Sequence, residues 1–177
     1  MLDQEQRNQL LEGAKAWNAW RDSHSDTTID LTEADLRGES VKGANLSHVK
    51  LSKANIRKAN AAEANFSHAD LKEADLSKTN AQKANFSGAD LSGANLSESQ
   101  FSGANFSDAN LAGVNASKSD LLAADFTGAN LSGANFKNSQ LSAATGITQR
   151  QIEQTIGNAR TGLPKGIQPP ANWSKEA

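Results

Sequence analysis

The chain has 177 residues, with 18 Lys and Arg against 20 Asp and Glu, a net charge of −2 and no cysteine. That length is room for one ordinary domain. The near-balance of charge argues against a dedicated electrostatic nucleic-acid binder, and the missing thiols exclude disulfides, thiolate metal sites and cysteine nucleophiles. No apolar run approaches the roughly 20 residues of a membrane-spanning helix, and Met1 to Trp20 carries charges throughout with no apolar h-region. The expectation is therefore a cytoplasmic chain without a membrane span.

From the N-terminus, Asp3 to Arg21 is expected to be a helix, with Leu10, Ala14 and Trp17 on one stripe and Trp20 beside it. Gly13 is its weak point. Residues 1–28 are expected to form a helical cap rather than a docking helix, because the end units of a repeat array need covers.

From Ile29 to Ala143 the chain runs in fives without an insertion; Ala64-Asn65-Phe66-Ser67-His68 and Ala89-Asp90-Leu91-Ser92-Gly93 are typical units. The third residue is usually Leu or Phe, the first Ala, the second Asn or Asp, and the fourth Ser or Thr. A 3.6-residue helix would smear such a period around its surface, and a long strand would alternate the Leu between faces. Within a unit, three extended residues point small-in, polar-out and large-in, and the last two turn the chain, where glycines such as Gly88, Gly93 and Gly133 suit a bend. Four such turns close a square coil of 20 residues. Central residues 20 apart should then share a side. Leu31, Leu51, Leu71, Leu91, Leu111 and Leu131 make one column, and Phe66, Phe86, Phe106 and Phe126 another, headed by Leu46. Five-residue counting alone does not sort four of the six phenylalanines into one column; like-on-like stacking at β spacing does. The alanines leave room for one large residue per side. That is how a chain with only 18% Leu, Ile, Val and Phe builds a dry core.

Ala-(Asp/Asn)-(Leu/Phe)-x-x in unbroken tandem resembles the pentapeptide-repeat family, over about two thirds of the chain. The resemblance implies an all-β solenoid: a right-handed quadrilateral β-helix of about six 20-residue coils spanning residues 29–146. Glu39, Val49 and Lys50 depart from the pattern, and Thr79, Ser99, Ser119 and Ser139 replace the first alanine. Some members of the family resemble B-form DNA in width and negative charge and protect DNA gyrase from quinolones.

Residues 147–177 are expected to hold a short helix, Gln149 to Ile156, with Ile152 and Ile156 facing the last coil, and then an extended tail with Pro164, Pro169 and Pro170. Thr148 and Gln151 have the spacing of a capping box.

No cluster assembles into catalysis, so the chain reads as a non-enzyme without cofactor or small-molecule substrate. His48 and His68 should stack one coil apart, yet no third or fourth metal ligand stands with them. The second-position Asp and Asn are expected to be polar spacers or to bond nearby backbone. The charges sort better. Arg37, Arg57, Lys58, Lys78, Lys118 and Lys137 all project from the side whose core is Leu36, Ile56, Leu76, Leu96, Ala116 and Phe136, with Glu98 opposing and Asp35 and Asp75 diluting them. Leu122 replaces the usual serine with an outward apolar residue beside Ala123, a patch expected to be covered by the tail through Trp173 or to make a dimer contact.

The expected function is a protein-interaction or scaffold module with an unidentified protein partner, as a monomer or homodimer, presenting these residues. The alternative is a DNA mimic that binds gyrase or topoisomerase. It is disfavoured because residues 31–146 hold 12 acids and 11 bases, whereas a mimic needs a large acidic excess.

Overall fold

A computed structural model describes residues 4–173 of the chain. Residues 20 apart pair in parallel: Asp30 with Lys50, Asp35 with Asn55, and so on in steps of five to Asp125 with Thr145. Among the described residues these pairings are single bridges rather than strands. Three extended residues between turns leave only the second residue of each unit free to pair on both edges.

The turn has one backbone solution throughout. In most units the first residue of the next unit donates its N–H to the central carbonyl, as in Ala34 to Leu31 (3.0 Å) and Ala94 to Leu91 (2.9 Å). The fifth residue of every unit has a positive φ, from Glu33 (61°) to Ala143 (62°). A lone positive φ at that place makes the turn type II. Glycine takes it at Gly38, Gly93 and Gly133, but His48, Lys53, Glu63, Asp108 and Ala123 take it as well. The sequence expectation of a bend favouring glycine misses this: the left-handed residue is imposed by the coil whatever side chain stands there.

The second residue has two tasks. Its backbone carries the ladder, for example Asn55 N–H to Ala34 O (2.9 Å) and Leu36 N–H to Asn55 O (2.8 Å). Its side chain braces the turn. Every second-position Asn or Asp accepts, through Oδ1, the N–H of the residue two places on. This is an Asx turn, and it explains why these two residue types dominate the position. The carboxylates respond to it. The hydroxyl and N–H of Thr32 hold Asp30 at about 2, and those of Thr127 lower Asp125.

The central residues from Leu31 to Leu141 are at most 2% exposed. Phe66, Phe86, Phe106 and Phe126 stack at 4.9, 5.1 and 5.3 Å between ring centres. At one corner the first residue is Thr79, Ser99 or Ser119 instead of Ala, and each buried hydroxyl donates to a carbonyl one coil back: Ile56 (2.8 Å), Leu76 (2.7 Å) and Leu96 (2.6 Å). These three hydroxyls are therefore satisfied inside the wall.

Instead of the single helix expected from Asp3 to Arg21, two helices form: α1 (Gln4–Leu11) and α2 (Ala14–Ser23). Gly13 between them sits at φ 104°, which a helix cannot include; Asp3 lies outside the described residues. Leu10 and Trp17 are fully buried against the first coil. Polar side chains of both helices bond that coil's free edge. Gln6 accepts Asp30 N–H (2.9 Å), Arg7 donates twice to Asp35 O (3.0 and 2.8 Å), Trp17 Nε1 donates to Asn45 O (2.7 Å) and Asn18 accepts Asn45 N–H (2.8 Å).

At the other end pairing continues with slipped register, Asn135 with Ile156 and Gln140 with Gly162. The helix α3 is only Gln149–Ile152, opened by the Thr148–Gln151 capping box. Ile152 is buried, but Ile156 is 48% exposed. It does not face the last coil as expected, because after one helical turn the chain resumes the ladder and Ile156 stands in an outward pairing position. Gly157 leaves a seat that the Trp173 indole fills, with Nε1 donating to Thr155 O (3.1 Å).

Neighbouring alanines separate the turn from the core. Ala123 sits at φ 56° and is exposed, whereas Ala124 is fully buried at an ordinary φ. Ala123→Gly removes about 1–2 kcal/mol of left-handed strain against roughly 0.4–1 kcal/mol of added unfolded-state entropy, so it should melt at or above the parent. Ala124→Gly should lose about 1–2 kcal/mol through the missing methyl and the looser backbone. Calorimetry in which Ala123→Gly melts below Ala124→Gly would contradict the turn assignment.

Candidate interaction surface

The ladder through Asp35, Asn55, Asp75, Asn95, Asn115 and Asn135 brings Arg37, Arg57, Lys58, Lys78, Lys118 and Lys137 onto one side of the coils, as the 20-residue period requires. They are not equivalent there. Arg37 forks onto its own Asp35 at 2.8 and 2.7 Å, which lowers the Asp35 carboxyl and raises the guanidinium. Lys78 lies 3.4 Å from Glu98 on the next coil. Arg57 and Lys58 join Arg37 around an open hollow of about 440 Å³, whose other walls are Arg7, Asp35, Gly38 and Glu39. Arg7 was not legible as part of this side, since it comes from α1 and stands outside the five-residue pattern. Lys137 borders a smaller hollow of about 130 Å³ with Thr155, Ile156, Gly157, Asn172 and Trp173.

Leu122 belongs to the neighbouring side and is 43% exposed. The expected cover by Trp173 is not what forms. Trp173 packs over Gly157, above Phe136 on the basic side, where a missing Cβ leaves it room. Leu122 therefore does not share a surface with the cations.

His48 and His68 stack as expected, with ring centres 5.0 Å apart. Among the described residues no group of three or more His, Cys, Asp or Glu is placed to hold a metal ion. The next residue in that column is Gly88, and a Cβ there would come within 2.5 Å of His68 Nδ1, so the imidazole leans over the glycine. Among the described residues no helix is long and apolar enough to cross a membrane.

The sequence model of the family described as pentapeptide repeats matches in eight copies, over residues 29–67, 42–77, 69–108 and 104–142. The chain belongs to the pentapeptide-repeat family. Its fold is the family's right-handed quadrilateral β-helix. Among solved structures, the chain is similar to two trypsin-treated variants of QnrB1, a plasmid-mediated fluoroquinolone resistance protein. The first is 22% identical over 81% of this chain and 75% of that chain, with a TM-score of 0.68. The second is 21% identical over 81% and 78%, with a TM-score of 0.66. HetL, a pentapeptide-repeat protein involved in heterocyst differentiation regulation in the cyanobacterium Nostoc sp. strain PCC 7120, is 25% identical over 80% and 81%, with a TM-score of 0.36. No curated protein matches the chain.

In this pentapeptide-repeat chain the leaning imidazole makes Gly88 a steric as well as a conformational requirement. Gly88→Ala should lower stability by about 1–2 kcal/mol from the left-handed φ, with an added steric loss. His68→Ala in the same chain should return the steric part only. A double variant melting below Gly88→Ala would contradict the packing of His68 on Gly88.

Proposed function

We propose that the chain is a non-enzymatic protein-interaction module: a rod of about six coils over residues 29–146, closed by residues 1–28 and 147–177, that meets a partner protein with its outer sides. One observation carries this reading. The inward positions from Leu31 to Leu141 are filled by buried side chains, so recognition falls to the outward second, fourth and fifth residues of the units. The basic side, with Arg37, Arg57, Lys58, Lys78, Lys118 and Lys137, is the surface we favour. Its cations stand on five of the six coils, with Glu98 in their place on the fourth, and the six outnumber Asp35, Asp75 and Glu98, which leaves the side a positive excess for a partner. Leu122 is a separate apolar contact candidate on the next side. Protein solenoids commonly use long surfaces in this way.

A gyrase-directed DNA mimic, which the family resemblance also offers, is the competing reading. The side charges speak against it, since residues 31–146 hold 12 acids and 11 bases. Two measurements test the proposal. The immobilised chain should retain a specific protein from an extract of its native cells, and gyrase supercoiling should proceed unchanged with micromolar protein present. Failure to retain any specific protein would contradict the module, and inhibition of supercoiling would favour the mimic.

A further inference from the structure

We propose that the hollow at the start of the basic side binds a short acidic segment of a protein partner, a run of Asp or Glu whose carboxylates enter between α1 and the first two coils. The proposal rests on the interaction-module reading and names the chemistry of its partner.

Four cations converge there from three layers of the molecule: Arg7 from α1, Arg37 from the first coil, and Arg57 and Lys58 from the second. Two are held in place before any ligand arrives. Arg7 is fixed by two hydrogen bonds to Asp35 O, at 3.0 and 2.8 Å, and Arg37 by its fork onto the Asp35 carboxylate, at 2.8 and 2.7 Å. That fork keeps Asp35, one of the two acids in the wall, ionised by lowering its pKa, and balances its charge with that of Arg37. Glu39 is the other. Arg7, Arg57 and Lys58 therefore face Glu39, an excess of positive charge in a hollow of about 440 Å³. The Arg57 guanidinium fork matches a carboxylate in shape as well as charge, and Arg7 and Arg37 can donate their remaining Nη N–H groups beside it. Because two of the guanidinium groups are already positioned, less side-chain entropy is lost when a ligand enters.

Among the described residues, the cations farther along this side are placed differently. Lys78 is engaged by Glu98 at 3.4 Å. Lys137 borders only neutral residues in its smaller hollow. A long polyanion such as a nucleic acid fits poorly. Asp75 and Glu98 interrupt the row, and the adjoining leucine side carries Asp30, Glu33, Asp70, Glu73 and Asp90 against Lys50, Lys53 and Lys72. The charge favours a ligand a few residues long.

The probe is fluorescein-labelled hexaglutamate, read by fluorescence anisotropy against the full chain at about 20 mM salt, where surface electrostatics are little screened. Arg57→Gln/Lys58→Gln is compared with Lys118→Gln/Lys137→Gln, which removes the same charge from the far end. Thermal melting of both pairs verifies that these outward substitutions leave the fold intact. The first pair should weaken binding about tenfold or more, and the second less than about threefold, as local rather than global charge loss requires. No binding of hexaglutamate by the parent chain, equal weakening by both pairs, or tighter binding of an oligothymidylate of equal charge would each overturn the proposal. Should the first pair still retain the protein partner from cell extract while the parent fails to bind hexaglutamate, this site falls and the module reading stands. Should the parent retain no partner at all, it is the module reading that falls.

Discussion

The turn at the end of each unit governs the molecule. A fifth residue with φ between 56° and 72° recurs from Glu33 to Ala143, and it ends each extended piece after three residues. A shorter or longer piece would not bring the chain back above itself after four sides. Everything else follows from that return. The second residue must pair on both edges and is usually Asn or Asp because its side chain also braces the turn. The third must fill the interior and is usually Leu or Phe. The first shares that narrow interior and is usually Ala, or at one corner Thr79, Ser99 or Ser119, whose hydroxyl finds a carbonyl one coil back. The left-handed backbone has an energy of its own to overcome, about 1–2 kcal/mol for a residue with a side chain. The ladder must over-determine it, since Lys, Glu, His and Asp accept the conformation as regularly as Gly.

A stack of this kind leaves open polar edges at its ends. At the N-terminal end those groups meet side chains instead of a further coil. Gln6, Arg7, Trp17 and Asn18 supply donors and acceptors to Asp30, Asp35 and Asn45, while Leu10 and Trp17 cover the apolar interior. One of these, Arg7, also stands in the wall of the basic hollow. The end of the stack and the basic hollow are thus built by the same contact, which ties the interaction proposal to how the first coil is finished. At the C-terminal end the ladder continues with slipped register, and a single indole, Trp173, takes the place of the side chain that Gly157 lacks.

The repeat made the interior and the sorting of sides legible in the sequence, because the physics that sorts Leu31 to Leu131 and Phe66 to Phe126 is periodic. What was not legible lies where periodicity stops. Gly13 splits the first helix, a choice set by how α1 and α2 fit the first coil. Ile156 turns outward because the ladder resumes after one turn of α3, which helical spacing cannot show. Trp173 seats on Gly157 rather than by Leu122, since the empty space decides it and a glycine outside the repeat gives no sign of that space. Of the candidate surface, the alignment of the six cations was visible, but their inequality was not. The Arg37–Asp35 fork, the Lys78–Glu98 pair and the arrival of Arg7 depend on side-chain geometry.

The central claim is that the unit of structure is the 20-residue coil, with five-residue sides that are not interchangeable. Two deletions in the middle of the rod test it. Removing residues 91–110 joins Asp90 to Leu111 and keeps every later residue on its own side. Removing residues 91–95 joins Asp90 to Leu96 and rotates everything after it by one side, placing Phe106 over Ala81 and Leu111 over Phe86. The account predicts that the chain lacking 20 residues still unfolds in one cooperative transition, while the chain lacking five melts at a lower temperature despite keeping more residues. If the five-residue deletion melts as high as the twenty-residue one, the four-sided register does not hold the rod together.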